Sequence, residues 1–208
     1  MKLIYTASQV REAEKPYIEA ADYDGYLMQR AADAVAAEAQ DLLRGKDNAK
    51  ILLLIGPGNN GADTIYAGAR LSAKGHRVDA VIFDSSEKNL ELIAREGGEG
   101  TRVLDPEHAL EQLAGYDLTI DGILGTGSSG AVRGSAGEYL GVLRAAQLDG
   151  KLGAVLAVDT PSGVDNNRGT VHEPSLRADR TVTFIGHKLP AGTSHSVHSG
   201  DIKLYDLG

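Results

Sequence analysis

The chain is 208 residues long, with 21 Lys and Arg against 29 Asp and Glu, a net charge of −8 and no cysteine. That length supports one well-buried core, a single domain over 1–208. The acidic balance excludes general nucleic-acid binding, and the missing thiols exclude disulfides, thiolate catalysis and Cys-ligated zinc.

No stretch is apolar for long enough to cross a bilayer, and Met1 to Thr6 is too short for a signal peptide, so a cytoplasmic protein that meets no membrane is expected. A first helix is expected to begin near Ser8 and to end or bend at Pro16. A second runs from about 24 to 43, with Leu27, Ala31, Ala34, Val35 and Leu42 at helical spacing. Taken alone it is a packing helix, and its acidic face suits a homodimer or another partner. Beyond Lys50 the pattern becomes strand, loop, helix. Apolar runs lie at 51–55, 78–83, 118–120, 154–158 and 181–185, and helical stretches at 64–74, 88–96, 107–114 and 136–148. Such alternation specifies an α/β fold: a Rossmann-like three-layer α/β/α sandwich with a mostly parallel central sheet and an N-terminal helical extension. Gly97 to Gly100 reads as a turn within it.

Three loops at strand ends carry the chemistry: 56–63, 121–130 and 159–165. Each joins glycines, which let backbone N–H groups approach a ligand, to a carboxylate. The first fits Gly-x-Gly-x-x-Gly through Gly56, Gly58 and Gly61, with Asp84 ending the next strand. That is a dinucleotide fingerprint, and also a plain glycine-rich helix start. It leaves Asn59, Asn60 and Asp63 unaccounted for. Asp63, Asp121 and Asp159 are expected at one sheet edge, where mutual repulsion calls for a shared proton or a cation. Only oxygen and amide ligands are on offer, so a hard cation such as Mg²⁺, Ca²⁺ or an alkali ion fits better than zinc. Asp63 reads equally well as a helix cap.

Asn59-Asn60-Gly61-Ala62-Asp63 resembles the Asn-Asn-Gly-Gly-Asp loop of the NAD(P)H-hydrate epimerases, the YjeF N-terminal domain family. Gly125-Thr126-Gly127 and the stretch from Val158 to Asp165 are similar to that family's other signatures. Leu27 to Ala32 resembles its Leu-Met-Glu-x-Ala-Gly helix, and Ala178 to Phe184 with Lys188 its final strand and loop. The resemblance implies epimerisation of the R and S forms of hydrated NADH and NADPH (NADHX and NADPHX), coupled to an ADP- or ATP-dependent dehydratase that restores the coenzyme. It implies K⁺ held by Asn60, Asp121 and Ser162. It also implies substrate contacts from Asn59, Asn60, Gly61, Ala62 and Asp63, from Gly125, Thr126, Gly127, Ser128, Ser129, Gly130 and Ala131, and from Asp159. Asp159 is the candidate catalytic group, general acid and then base. The chain departs from the family pattern at Ala62 and Thr64, which threaten to crowd the substrate, and at Gln29 and Ala32. Its end at Tyr205 to Gly208 fits a stand-alone epimerase or half of a bifunctional protein.

Lys188 reads as a solvated loop residue ahead of a phosphate or proton-transfer role. His195 and His198 read as solvent-facing, and Asp165 as a turn former with Gly163. Two rival readings stand: an NAD-dependent oxidoreductase, for which no His/Lys/Tyr constellation is evident, and a noncatalytic nucleotide- or protein-binding member of the same fold.

Overall fold

The structure is a computed structural model that describes residues 4–21, 25–83, 87–188 and 196–207. In chain order its first half comprises β1 (Ile4–Tyr5), α1 (Ala7–Ile18), α2 (Tyr26–Leu42), β2 (Lys50–Ile55), α3 (Asn59–Ala73), β3 (Arg77–Ile82), α4 (Glu87–Glu96), β4 (Thr101–Val103) and α5 (Pro106–Glu111). There follow β5 (Leu118–Gly122), α6 (Gly134–Leu148), β6 (Ala154–Val158), β7 (Val164–Asp165), β8 (Thr170–Val171), β9 (Arg180–Phe184), β10 (His187–Lys188), α7 (Ser196–Ser199) and β11 (Asp201–Tyr205).

The aliphatic run of β2 is buried on both faces because successive side chains point to opposite sides. Ile51, Leu53 and Ile55 enter one core with Ala31, Ala34 and Val35 of α2 and Ile65 of α3. Leu52 and Leu54 enter the other with Tyr139, Leu140 and Leu143 of α6. Gly68 sets how closely α3 approaches: a Cβ there would run into the Leu53 side chain. The three-layer sandwich expected from sequence is present, and every pairing in its seven-stranded sheet is parallel.

Strand order is β11-β9-β6-β5-β2-β3-β4. The chain winds outward from β2 to β4, then returns to the opposite side of β2 at β5. Loops leaving β2 and β5 therefore diverge, and the crevice between them is where doubly wound sheets take ligands.

Several boundaries differ from expectation. Thr6, not Ser8, caps α1: its Oγ1 accepts the Gln9 N–H (3.3 Å) and its own N–H donates to Gln9 Oε1 (2.9 Å). The helix also continues past Pro16 to Ile18, since a proline in an exposed last turn forfeits only one hydrogen bond. More consequentially, α3 starts at Asn59, so the residues read as a loop form its first turn. The edge strands β4 and β11 escaped the sequence reading because they are short or interrupted by charge, as suits an exposed edge. The acidic residues of α2 make ion pairs within the chain. Asp33 pairs with Arg70, and Glu38 and Asp41 both pair with Arg180.

Candidate active site

Three strand ends are tied together by one side chain. Gly58, in extended conformation, leads straight into α3, which places Asn60 in the first turn over the ends of β5 and β6. Asn60 Nδ2 donates to the Val158 carbonyl (2.6 Å) and the Leu124 carbonyl (3.3 Å), while its own carbonyl accepts the Thr64 hydroxyl (2.7 Å). Gly125 has to be glycine here, since a Cβ would overlap the Asn60 amide. On the other side of the turn, buried Asn89 of α4 donates to the Gly56 carbonyl (2.7 Å) and holds the loop in place.

Below this junction lies Asp121, fully buried near the end of β5. Its carboxylate accepts the Ser162 hydroxyl (2.6 Å), the Ser162 N–H (2.8 Å) and the Ile123 N–H (3.3 Å). Burial pushes its pKa up, and these bonds only partly oppose the shift. Among the described residues no Lys or Arg forms an ion pair with it. Asp121 is thus a fully buried carboxylate with neutral hydrogen-bond donors as its partners, and with the Ser162 hydroxyl it offers only oxygen atoms, the ligand type of hard cations.

Asp159 follows β6 directly and has the opposite surroundings. It adopts a left-handed φ of 65°, and so does Ile185 just beyond β9. For a β-branched residue that conformation is rare and costs of order 1–3 kcal/mol. The two distortions turn neighbouring strand ends toward one another. Lys188, reached after the Ile185 turn, donates to Asp159 Oδ1 (2.5 Å), Thr183 Oγ1 (2.7 Å) and the Phe184 carbonyl (3.0 Å). Asp159 also accepts the Thr126 N–H (2.8 Å) and the Thr183 hydroxyl (3.1 Å). Burial opposes ionisation of Asp159, but the Lys188 charge and these hydrogen bonds outweigh it and hold the carboxyl below the usual range. Lys188 is 5 % exposed, so the solvated-loop reading is wrong. No local residue pattern marks its partner, because the contact depends on the bent ends of β6 and β9.

A cavity of about 400 Å³ opens above this pair. Of the residues read as substrate contacts, Asn59, Asn60, Asp63, Gly125, Thr126, Gly127, Ser128 and Asp159 line it. Gly61 and Ala62 do not: Gly61 packs on the Gly56 carbonyl, and Ala62 points into the core. Ala62 and Thr64 therefore do not crowd the cavity. Ser129, Gly130 and Ala131 lie outside the lining, and Asp121 and Ser162 sit beneath it. Asp63, Asp121 and Asp159, expected together at one sheet edge with a shared proton or a cation, do not all face the same space. Asp121 turns down to Ser162, whereas Asp63 and Asp159 face the cavity, and among the described residues no group of three or more His, Cys, Asp or Glu could hold a metal.

Asp63 is buried without an ion-pair partner among the described residues, and burial, with Asp159 and Glu14 nearby, raises its pKa well above the ordinary value. Glu14 is raised by burial and by Asp159, against the pull of Lys188 and Arg11. Both Glu14 and Arg11 come from α1, whose place over the cavity was missed in the sequence. A signal existed: Ala7, Val10, Glu14 and Ile18 recur at helical spacing, so a carboxyl interrupts an apolar stripe. His198 is half-buried beside Glu173 (3.7 Å) and not solvent-facing, and Asp165 shapes its turn by accepting the Asn167 and Arg168 N–H groups. Asp84, His195 and Gly208, like the proposed helix start at Asp24, lie outside the described residues.

A family model described as YjeF-related protein N-terminus matches residues 25–189. The chain belongs to the YjeF N-terminal family. Among its YjeF relatives, the NAD(P)H-hydrate epimerase of Microbacterium testaceum is 38% identical, over 98% of this chain and 78% of that protein. The bifunctional NAD(P)H-hydrate repair enzyme Nnr of Mycobacterium tuberculosis is 31% identical over 100% of this chain, which spans 42% of that protein's length. The crystal structure of yeast ynu0 has the same fold, with a TM-score of 0.77 over 98% of this chain and 88% of that one at 19% identity. The YjeF match begins at residue 25, so α1 with Arg11 and Glu14 lies outside it.

Proposed function

We propose that this chain interconverts the R and S forms of NADHX and NADPHX. The observation that carries the reading is the buried Asp159–Lys188 pair facing a cavity at the switch point of a YjeF-type sheet. In the hydrate, C6 of the ring carries a hydroxyl beside N1. Departure of that hydroxyl needs a proton, and the N1 lone pair stabilises the cation left behind; return of water from the other face needs a base. No redox partner is required.

The two cavity aspartates divide this work. Asp159, held ionised, accepts the proton of the incoming water, and Asp63, whose surroundings favour the acid, donates to the departing hydroxyl. One proton then passes from Asp159 to Asp63 and restores the starting state, so the cycle neither gains nor loses a proton. Asn60, Asp121 and Ser162 would hold K⁺, which would balance the buried Asp121 charge and fix the β5 and β6 loops. Coupling to a dehydratase and assembly as a homodimer belong to the same reading.

The reading is tested by pairing the protein with a dehydratase specific for one epimer. The dehydratase alone stalls once that epimer is consumed, and addition of this chain is expected to carry the mixture to completion. A persistent stall with folded protein would shift the assignment to a noncatalytic binding role.

A further inference from the structure

The mouth of the cavity is crossed by α1, a 12-residue helix that presents Arg11 and Glu14 to it one turn apart. Glu14 belongs to the end where Asp63, Asp159 and Lys188 gather, as its electrostatic neighbours indicate. Arg11 lies over the loop that follows β5. Its guanidinium lies against Gly127 so closely that any side chain at that position would collide with it, and Gly127 has a φ of +147°. Among the described residues Arg11 makes no hydrogen bond and has no carboxylate within ion-pair distance.

Two lining side chains are cationic, Arg11 and Lys188. Lys188 is spent on Asp159, Thr183 and Phe184. In the loop beneath Arg11, the Thr126 N–H is taken by Asp159 (2.8 Å) and the Ser128 N–H by the Gly125 carbonyl (3.1 Å). The N–H group of Gly127, which lines the cavity, has no acceptor among the described residues, nor has that of Ser129 just outside the lining. A guanidinium fork over free backbone amides is a phosphate-binding arrangement. The carboxylates that line the same cavity, Glu14, Asp63 and Asp159, repel a phosphate, so its attraction there depends on Arg11.

We infer that Arg11 holds the pyrophosphate bridge of the dinucleotide, with the ring directed toward Asp159. This inference rests on the reading that the substrate is NADHX or NADPHX, and it makes α1 a working wall of the site although the family match starts after it.

The test compares the parent with Arg11→Ala, Arg11→Lys and, as a control on the same helix, Lys15→Ala, whose side chain is exposed beside Glu19. KM and kcat are measured with NADHX and with NADPHX, and the Kd of ADP-ribose, which carries the pyrophosphate without the ring, by calorimetry. Loss of one charge-assisted contact predicts that Arg11→Ala raises KM for both substrates and the ADP-ribose Kd about tenfold, with kcat within roughly twofold. Arg11→Lys recovers part of the loss and Lys15→Ala matches the parent. Unchanged KM and Kd in Arg11→Ala overturn the inference. A loss confined to NADPHX also overturns it, by moving the contact to the 2′-phosphate. A parent that binds ADP-ribose through Arg11 yet does not equilibrate the epimers defeats the functional reading and leaves the pyrophosphate contact standing.

Discussion

Asp121 and Asp159 lie at the ends of neighbouring strands, both buried, and their surroundings are opposite. Asp121 is held by a serine and two backbone N–H groups with no positive charge at ion-pair distance among the described residues, whereas Asp159 is clasped by a lysine whose donors are all engaged. Burial alone would drive both toward the neutral acid. The difference separates a carboxylate held by neutral hydrogen-bond donors, which under the proposed function would take K⁺ as its counter-charge, from one whose charge is fixed by the fold. Only the second faces the cavity, so only the second is suited to exchange protons with a substrate.

Removing the lysine attacks the contrast most strongly. Lys188→Met leaves a buried carboxylate unpaired, a change expected to cost about 3–5 kcal/mol, read as a lower midpoint in urea. Loss of that positive charge also raises the Asp159 pKa, so the acid limb of the pH–rate profile should move to higher pH in the variant. Equal stability and an unmoved limb would show that the pair does not set the charge of Asp159.

Potassium sharpens the other side of the comparison. K⁺ at about a hundredfold excess over its Kd should stabilise the parent by roughly 2.7 kcal/mol relative to a bulky cation such as tetramethylammonium. In Asp121→Asn that increment should disappear from the thermal melt, whereas in Lys188→Met it should persist. An equal K⁺ effect in Asp121→Asn would move the ion elsewhere.

The smallest effect concerns Asp63. A carboxyl whose folded pKa is raised contributes stability that is present at low pH and lost as pH rises through the folded value. The parent should therefore lose ground to Asp63→Asn as pH rises above the ordinary carboxylate range. Asp159, with its depressed pKa, contributes stability in the opposite sense, lost only as pH falls below the ordinary carboxylate range. Melts of Asp63→Asn that follow the parent at every pH would mean that Asp63 titrates as an ordinary carboxyl.

The sheet was legible because β2 and β6 are nearly pure apolar runs and β3, β5 and β9 join β-branched to apolar residues, and such runs buried on both faces have no other home. Its edges were not, because β4 and β11 are polar enough to pass for loops. In the site, Asn60, Asp63 and Asp159 could be found from glycine spacing and the family motifs. Lys188 was visible in the resemblance but its burial was not, since that follows from left-handed turns at Asp159 and Ile185 that no local residue pattern announces. Arg11 and Glu14 fall between: their helical spacing was visible, but which surface α1 covers is settled only by tertiary contact.

The most direct measurement is the rate at which one purified epimer of NADHX equilibrates with the other, followed by chromatography at neutral pH for the parent and for Asp159→Asn. The parent should accelerate equilibration, and the variant, folded and still able to bind ADP-ribose, should lose roughly 10²–10⁴-fold of that rate. A variant that equilibrates the epimers as fast as the parent would contradict the assignment of Asp159 as the base.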